Sequence, residues 1–391
     1  MRVLISGAGV AGPTLAHWLL RHGGFEITLV ESAPALRTGG YVIDFWGAGY
    51  DIAEQMGLLP AILAEGYQVR EVRMVDGRGR RVGGMPVDAF RRATGGRYVS
   101  VPRSALAAAI YASVSARLET IFGDRITALE ERTASVAVTF EHAPQREFDL
   151  VVGADGVHSV VRELALAADA APQTYLGMQF AAFELPGYRP RDEDAYVIFN
   201  EVGQQADRFT LRGDRTLFLF IMAHPSPDAP PDLDGQKALL RRRFGNSAWE
   251  CPQILAQLEG AENFYFDRVS QVRLARWSKG RVVLLGDAAF APSFLAGQGS
   301  ALAMLGAYIL AGELKRAGSD FTQAFAQYHE RLGAFMAGKQ RAAVRFASNF
   351  APPSKLSVFL QNHLASALAL PLVPELVFGR LLRDQVELPT Y

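Results

Sequence analysis

A glycine triad near the start of the sequence, Gly7-Ala8-Gly9-Val10-Ala11-Gly12, constrains this chain more than any other feature. It follows an apolar strand-like run, Arg2 to Ser6, and precedes an apolar-periodic segment, Pro13 to His22, that reads as a helix. In that setting Gly7 permits a tight turn, Gly9 lets the backbone approach a pyrophosphate, and Gly12, beside Ala11, allows helix to pack closely on strand. The helix N-terminus then offers unpaired N–H groups and a positive dipole end to the phosphates. A second strand-like run, Phe25 to Val30, ends in Glu31 at the spacing expected of a ribose-binding acid. This much fits a nicotinamide or a flavin dinucleotide equally.

Two later strings narrow the choice. Phe148 to Gly153 reads as a strand entering a small-residue turn, Ala154-Asp155-Gly156, with Ser159 and Arg162 completing a DGxxSxVR pattern. Arg281 to Leu285 is a further strand, followed by GDAAFAPSFLAGQG from Gly286 to Gly299. That string places Asp287 at a strand end and Gly297-Gln298-Gly299 at the start of a helix reaching Arg316.

In content and order these motifs resemble the FAD-dependent aromatic hydroxylases, the single-component flavoprotein monooxygenases that include para-hydroxybenzoate hydroxylase and the tetracycline-inactivating monooxygenases. The resemblance spans Met1 to about Leu314. It implies an α/β fold: a Rossmann-like FAD-binding domain with an inserted mixed-sheet substrate domain and C-terminal helices. It further implies that Gly7, Gly9, Ala11 and Gly12 hold the FAD pyrophosphate. Asp155 and Gly156 would touch the flavin nucleotide and the incoming NADH or NADPH, and Gly286 and Asp287 the ribityl chain. Pro292, Gly297, Gln298 and Gly299 would form the loop at the flavin ring. Arg103, in Val101-Pro102-Arg103-Ser104-Ala105-Leu106, matches an RxxL element whose arginine lies near FAD. The implied reaction is hydride transfer from NAD(P)H to FAD, formation of a flavin hydroperoxide from oxygen, and delivery of one oxygen atom to the substrate. The positive end of the helix from Gly299 would favour anionic reduced flavin. Because the flavin carries the chemistry, no catalytic side chain and no metal is required.

Three departures from the family pattern stand out. Phe290 replaces a histidine common in GDAAH and cannot exchange a proton, so packing behind the loop is its expected role. Ser293 replaces the second residue of a common proline pair, and Ser32 a frequent basic residue. No second GxGxxG has strand and helix context, and the WxWxIP signature of flavin halogenases is missing. A separate nicotinamide domain is therefore not expected. An epoxidase or dehydrogenase using the same pocket, or a flavin-binding ligand sensor without oxygenation, remain as other readings.

The expected domain pattern is interleaved: the FAD-binding domain in 1–68, 98–170 and 266–318, a substrate-domain hairpin in 69–97, the substrate domain in 171–265, and a helical region in 319–391. Asp76-Gly77 marks the hairpin turn. Strand-like runs cover Tyr175 to Leu185, Ala195 to Val202, Arg208 to Leu211 and Thr216 to Ala223, and helices Gly235 to Phe244 and Pro252 to Leu258. Alternation puts Phe218, Phe220 and Met222 on one strand face and Leu217, Leu219 and Ile221 on the other. Phe218, Phe220 and Met222, with Phe180, Phe209 and Phe294, are the candidate substrate-pocket residues, and such a lining selects an aromatic or polycyclic small molecule.

A formal net charge of zero argues against a nucleic-acid partner. Arg241-Arg242-Arg243 and the spaced Arg78, Arg80 and Arg81 read as solvated faces. The single cysteine, Cys251, excludes an intrachain disulfide, and with no secretory signal before the first strand the expectation is a cytoplasmic monomer or homodimer. From Leu356 to Pro374 no charged residue occurs. Its polar residues and its two prolines make this run a poor spanning helix. Docking across the two domains is expected, with peripheral membrane contact as the alternative.

Overall fold

Uninterrupted apolar runs such as Val3-Leu4-Ile5 and Leu150-Val151-Val152 are buried on both faces only in a parallel sheet covered by helices. The computed structural model, which describes residues 1–166, 173–347, 349–367 and 386–391, places them in such a sheet. Its six strands run in the order Ser278–Lys279, Val282–Leu284, Leu150–Gly153, Arg2–Ser6, Glu26–Glu31 and Glu119–Phe122. All but the first of these are parallel. The strands ending at Ser6, Glu31, Gly153 and Leu284 are therefore neighbours whose C-terminal ends share one edge. Ligands bind at that edge in open α/β sheets.

The second sheet has seven strands, in the order Glu262–Val272, Gln173–Pro186, Arg215–Ala223, Gln204–Leu211, Ala195–Glu201, Glu71–Val75 and Arg81–Pro86. It is mixed, because Ala195–Glu201 pairs in parallel with Glu71–Val75 while the other neighbours are antiparallel. The hairpin expected around Asp76 is present, and the Asp76 carboxylate accepts from the backbone N–H groups of Arg78 and Arg80 at 2.9 and 3.0 Å. Helices Leu233–Phe244 and Cys251–Ala256 cover one face of this sheet. The first is started by Asp232, whose side chain accepts from Gly235 N at 2.7 Å. The strand Glu262–Val272 runs through the domain boundary expected at 265/266 and belongs wholly to this sheet. A two-stranded ribbon, Val42–Trp46 with Tyr98–Pro102, brackets the hairpin in sequence.

Helix Gly299–Ala317 packs against helix Ala11–His22 and against the long helix Phe321–Ala347. Helix Lys355–Ala367 lies on strand Arg81–Pro86, so the described part of the uncharged run docks on the second sheet. Residues 368–385 fall outside the described residues, and among those described no helix is long and apolar enough to cross a membrane. The segment 386–391 returns to helix Gly299–Ala317. There the Tyr391 hydroxyl donates to Glu313 at 2.7 Å, and Arg316 lies 4.4 Å from the Tyr391 ring centre. A Cβ on Gly312 would stand 2.2 Å from a ring carbon of Tyr391. Gly312→Leu should therefore expel Tyr391, costing about 1 kcal/mol net after the gain in helix propensity. Denaturant unfolding, with amide exchange at 386–391, checks it; retained protection of that segment would contradict the assignment.

Candidate functional site

Three strings distant in sequence meet at the shared strand edge. Gly7 has φ +110°, and a Cβ on it would lie 2.4 Å from the carbonyl oxygen of Ala154. Gly286 has φ +65°, and its added Cβ would stand 3.1 Å from Cβ of Ala11. The first loop thus touches both later loops. Gly12 is needed for packing, since a Cβ there would come within 2.1 Å of the Gly7 carbonyl oxygen. Gly9 differs from both. Its added Cβ would meet nothing closer than Nη2 of Arg103 at 3.8 Å, so its small size serves open space rather than the fold.

Arg103 begins the helix Arg103–Ala112, and its backbone N–H donates to the Tyr41 carbonyl at 3.1 Å. Among the described residues its guanidinium makes no hydrogen bond or ion pair, although it lies close enough to Asp287 to draw that carboxyl downward. A cation in no ion pair beside an open backbone cradle is what a pyrophosphate requires. The glycines and Arg103 therefore fit the dinucleotide implied by the sequence. Glu31 holds the loop from the other side, with one oxygen accepting from Ala8 N at 2.9 Å and the other from Ala33 N at 3.0 Å.

In the middle string, the Asp155 carboxylate accepts from Ser159 Oγ at 2.5 Å and Val161 N at 3.1 Å, capping helix Val160–Leu166. Burial raises its pKa. Gly156 lies in the turn between Asp155 and this cap. Arg162 is 1% exposed and donates to the carbonyls of Val157 at 2.7 Å and Ala288 at 3.1 Å. It therefore ties the middle loop to the late one.

Asp287 opens the short helix Asp287–Phe290 and lies 3.7 Å from the position a Cβ would take on Gly299. Burial pushes its carboxyl up while Arg103 opposes the shift. Gln298 caps helix Gly299–Ala317 without a side-chain hydrogen bond, leaving the first N–H groups of that helix uncapped by it. The Pro292 carbonyl accepts from the buried Gln271 amide at 2.6 Å, and Gln271 also donates to the carbonyl of Gln340 at 2.8 Å. Gln340 in turn donates to Val272 at 2.6 Å, so the long helix clasps the loop that runs to Gly297. Phe290 is buried beside Trp277, with ring centres 4.9 Å apart, and packs behind the loop.

Across from this loop lies the face of the seven-stranded sheet opposite helices Leu233–Phe244 and Cys251–Ala256. Phe180 stacks on Phe294 with ring centres 4.1 Å apart and planes 6° from parallel. Tyr41 meets Phe294 edge-on at 4.9 Å, and Tyr265 lies 5.7 Å from Phe180. Tyr265 is 39% exposed. Its hydroxyl donates to Asp267 at 2.7 Å, and the same carboxylate oxygen pairs with His158 at 2.9 Å. Phe209 packs near Tyr67, Tyr196 and Leu217 on this face.

Phe218, Phe220 and Met222 do not line the cleft, and their assignment to the pocket is corrected. All three are fully buried with Phe183, Leu240 and Phe244 beneath the covering helices. The alternate residues Leu219 and Ile221 pack with Phe180, Phe294 and Leu295 instead. Both faces of this strand are apolar, so alternation alone does not reveal which one the helices cover. Of the basic residues, Arg80 pairs with Asp76, Arg81 with Glu71, and Arg241 with Glu259. Among the described residues no group of His, Cys, Asp or Glu is arranged to hold a metal.

Sequence reasoning passed over Tyr41, Gln271, Gln340 and the carboxylates Asp44 and Asp207. Of these only Asp207 carried a signal, since strand alternation puts it on the face of Phe209.

Comparison with known proteins agrees with this geometry. Residues 1–333 match the family model described as FAD binding domain. The chain is 38% identical over 345 residues to an uncharacterized protein of Mycobacterium tuberculosis, covering 86% of this chain and 91% of that one. It is 35% identical over 367 residues to a flavin-dependent monooxygenase from an unknown prokaryotic organism, covering 91% and 92%. The crystal structure of the tetracycline destructase Tet(51) superimposes with a TM-score of 0.86 at 29% identity, covering 100% of this chain and 99% of that one.

Proposed function

This chain belongs to the FAD-binding-domain family and is an FAD-dependent monooxygenase, and from that premise we propose that it uses NADH or NADPH and molecular oxygen to hydroxylate an aromatic or polycyclic small molecule. Bound FAD supplies the redox chemistry, accepting hydride and activating oxygen. The observation that carries the substrate class is the Phe180–Phe294 stack, because Phe294 belongs to the loop following Asp287 and Phe180 to the facing sheet. A flat apolar ligand is recognised by such rings. The name of the tetracycline destructases points the same way, toward polycyclic compounds.

In this reading Gly7, Gly9, Ala11 and Gly12 receive the pyrophosphate, Arg103 neutralises it, and Glu31 accepts from ribose. Asp155 and Gly156 adjoin the nucleotide. Gly286 and Asp287 hold the ribityl chain, and Pro292, Gly297, Gln298 and Gly299 border the ring. The uncapped start of the helix at Gly299 stabilises negative charge beside it. Phe180, Phe209 and Phe294 line the substrate space. The single buried thiol of Cys251 suits a cytoplasmic enzyme, acting as a monomer or homodimer.

The test uses FAD-loaded protein with a panel of aromatic compounds. Accelerated NAD(P)H oxidation, isotopically labelled oxygen in the product and little hydrogen peroxide are expected. Tight ligand binding without stimulated turnover would overturn the oxygenase reading. Asp287→Ala should weaken FAD retention or slow its reduction roughly tenfold, the worth of one charge-assisted hydrogen bond. Unchanged affinity and rate would remove Asp287 from its assigned role.

A further inference from the structure

Strand register places a set of polar acceptors on the face of the second sheet opposite helices Leu233–Phe244 and Cys251–Ala256. Phe180 pairs with Ile221 and Ile221 with Gln205, while Leu219 pairs with Asp207 and Phe209 with Tyr196. Paired residues share a face, so Asp207 lies in the same surface as Phe180 and Phe209. Its Oδ2 accepts from the Tyr196 hydroxyl at 3.0 Å, and both oxygens accept from the Gln205 amide at 2.9 Å. With its proton committed to Asp207, the Tyr196 oxygen can act only as an acceptor toward another group.

The opposite wall carries a second carboxylate. Asp44, on the ribbon strand Val42–Trp46, accepts from Tyr98 at 2.6 Å and Ser100 at 2.7 Å, both at Oδ1. No described residue donates to Oδ2. Asp44 retains accessible surface beside the Tyr98 hydroxyl. The two walls are close, because Tyr98, which donates to Asp44, and Tyr196 pack against the same cluster of Val69, Val87, Phe209 and Leu217. Asn200, 5% exposed and on the same sheet face, gives its amide hydrogen to Asn362 and leaves its own oxygen without a donor.

Among the described residues no cation answers these acceptors. Among the described residues no lysine or arginine bonds to Asp44 or Asp207. Arg91, whose charge acts on Tyr98, is held by Asp88 and the Val69 carbonyl, and Arg103 lies at the cradle. Burial pushes both carboxyls up, Asp207 to about 7. A buried carboxylate such as Asp207, 2% exposed, is costly without a counter-ion, and a donor or a positive group beside it relieves that cost. A second anion adds to it.

We propose that Asp44, Asp207 and Tyr196 select the ligand by charge: the subsite takes an aromatic compound presenting a hydroxyl, amide or protonated amine and excludes one presenting a carboxylate. The assignment rests on the hydroxylase reading and specifies its substrate class. Neutral and cationic aromatics are admitted; aromatic acids are not.

Three probes of one ring system test it: naphthol, naphthylmethylammonium and naphthoate, each titrated by calorimetry into FAD-loaded protein. The first two should bind at least roughly tenfold more tightly than naphthoate, the scale of one like-charge clash. Asp44→Asn and Asp207→Asn should each shrink the preference for ammonium over carboxylate by about tenfold. Tyr196→Phe, which keeps the ring, should weaken naphthol selectively if an asparagine variant fails to fold. Naphthoate binding as tightly as the others, or no binding of any probe, would overturn the proposal. NAD(P)H oxidation by the unmodified protein without added aromatic is measured alongside; its loss would indict the FAD reading instead.

Discussion

Replacing Gly9 by valine should leave a folded apoprotein that no longer retains FAD. The expectation follows from the difference between Gly9 and its neighbours. Added carbon at Gly7 or Gly12 runs into backbone within 2.4 or 2.1 Å, so those variants lose fold and ligand together. At Gly9 the nearest atom is the movable end of Arg103, 3.8 Å away. The side chain would fill the space a pyrophosphate needs and separate it from the loop N–H groups. Losing two charge-assisted hydrogen bonds at about 1.5–3 kcal/mol each corresponds to a fall in affinity of roughly a hundredfold or more. Thermal unfolding of the apoprotein and FAD titration check the two halves separately. Full flavin occupancy in Gly9→Val would refute the cradle, and an unfolded apoprotein would refute the claim that the space is free.

Arg162→Ala should give the largest loss of stability among single substitutions near the site. The side chain is buried and donates to the carbonyls of Val157 and Ala288, in the middle and late loops respectively. Truncation removes the side-chain donor to the Ala288 carbonyl, leaves the Val157 carbonyl only the Gln173 amide at 2.7 Å, and opens a cavity the size of the side chain. At about 1–3 kcal/mol per orphaned group, with a cavity cost besides, the expected loss is about 3–5 kcal/mol. FAD should bind more weakly too, because the loops bearing Asp155 and Asp287 lose their tie. Arg162→Lys should rescue only part of the effect, since one ammonium does not reproduce the two-pronged geometry. Denaturant midpoints for both variants, with and without FAD, provide the measurement. A loss below about 1 kcal/mol, the size of an ordinary surface change, would mean that the tie is ornamental.

The sequence revealed the frame of this fold because its motifs answer to backbone constraints. A loop that must approach another backbone needs glycine, and the strands before such loops needed apolar residues on both faces. The mixed sheet was legible for a related reason: its strand runs and the turn at Asp76 carry local signals. What stayed hidden depended on tertiary placement. Phe220 and Ile221 are equally apolar, and only the docking of helices Leu233–Phe244 and Cys251–Ala256 decides which of them faces the cleft. Asp207 resembles a solvent-facing strand residue until Tyr196 and Gln205 are seen to enclose it. Gln271 and Gln340 form a clasp across 69 positions, and single glutamines announce nothing by spacing. Arg162 was visible as part of a pattern, while its partner carbonyl at Ala288 was not.

The meeting of Gly7, Ala154 and Gly286 at one edge bears on how the protein matures in time. Elongation delivers the first of these loops early and the last one late, so the full nucleotide-binding surface cannot close until most of the polypeptide has left the ribosome. Contacts of such long range form slowly and leave partial products sticky. Cofactor capture is thus a terminal event in biogenesis. Cellular FAD supply should govern how many newly finished molecules survive, more than how quickly they begin to fold.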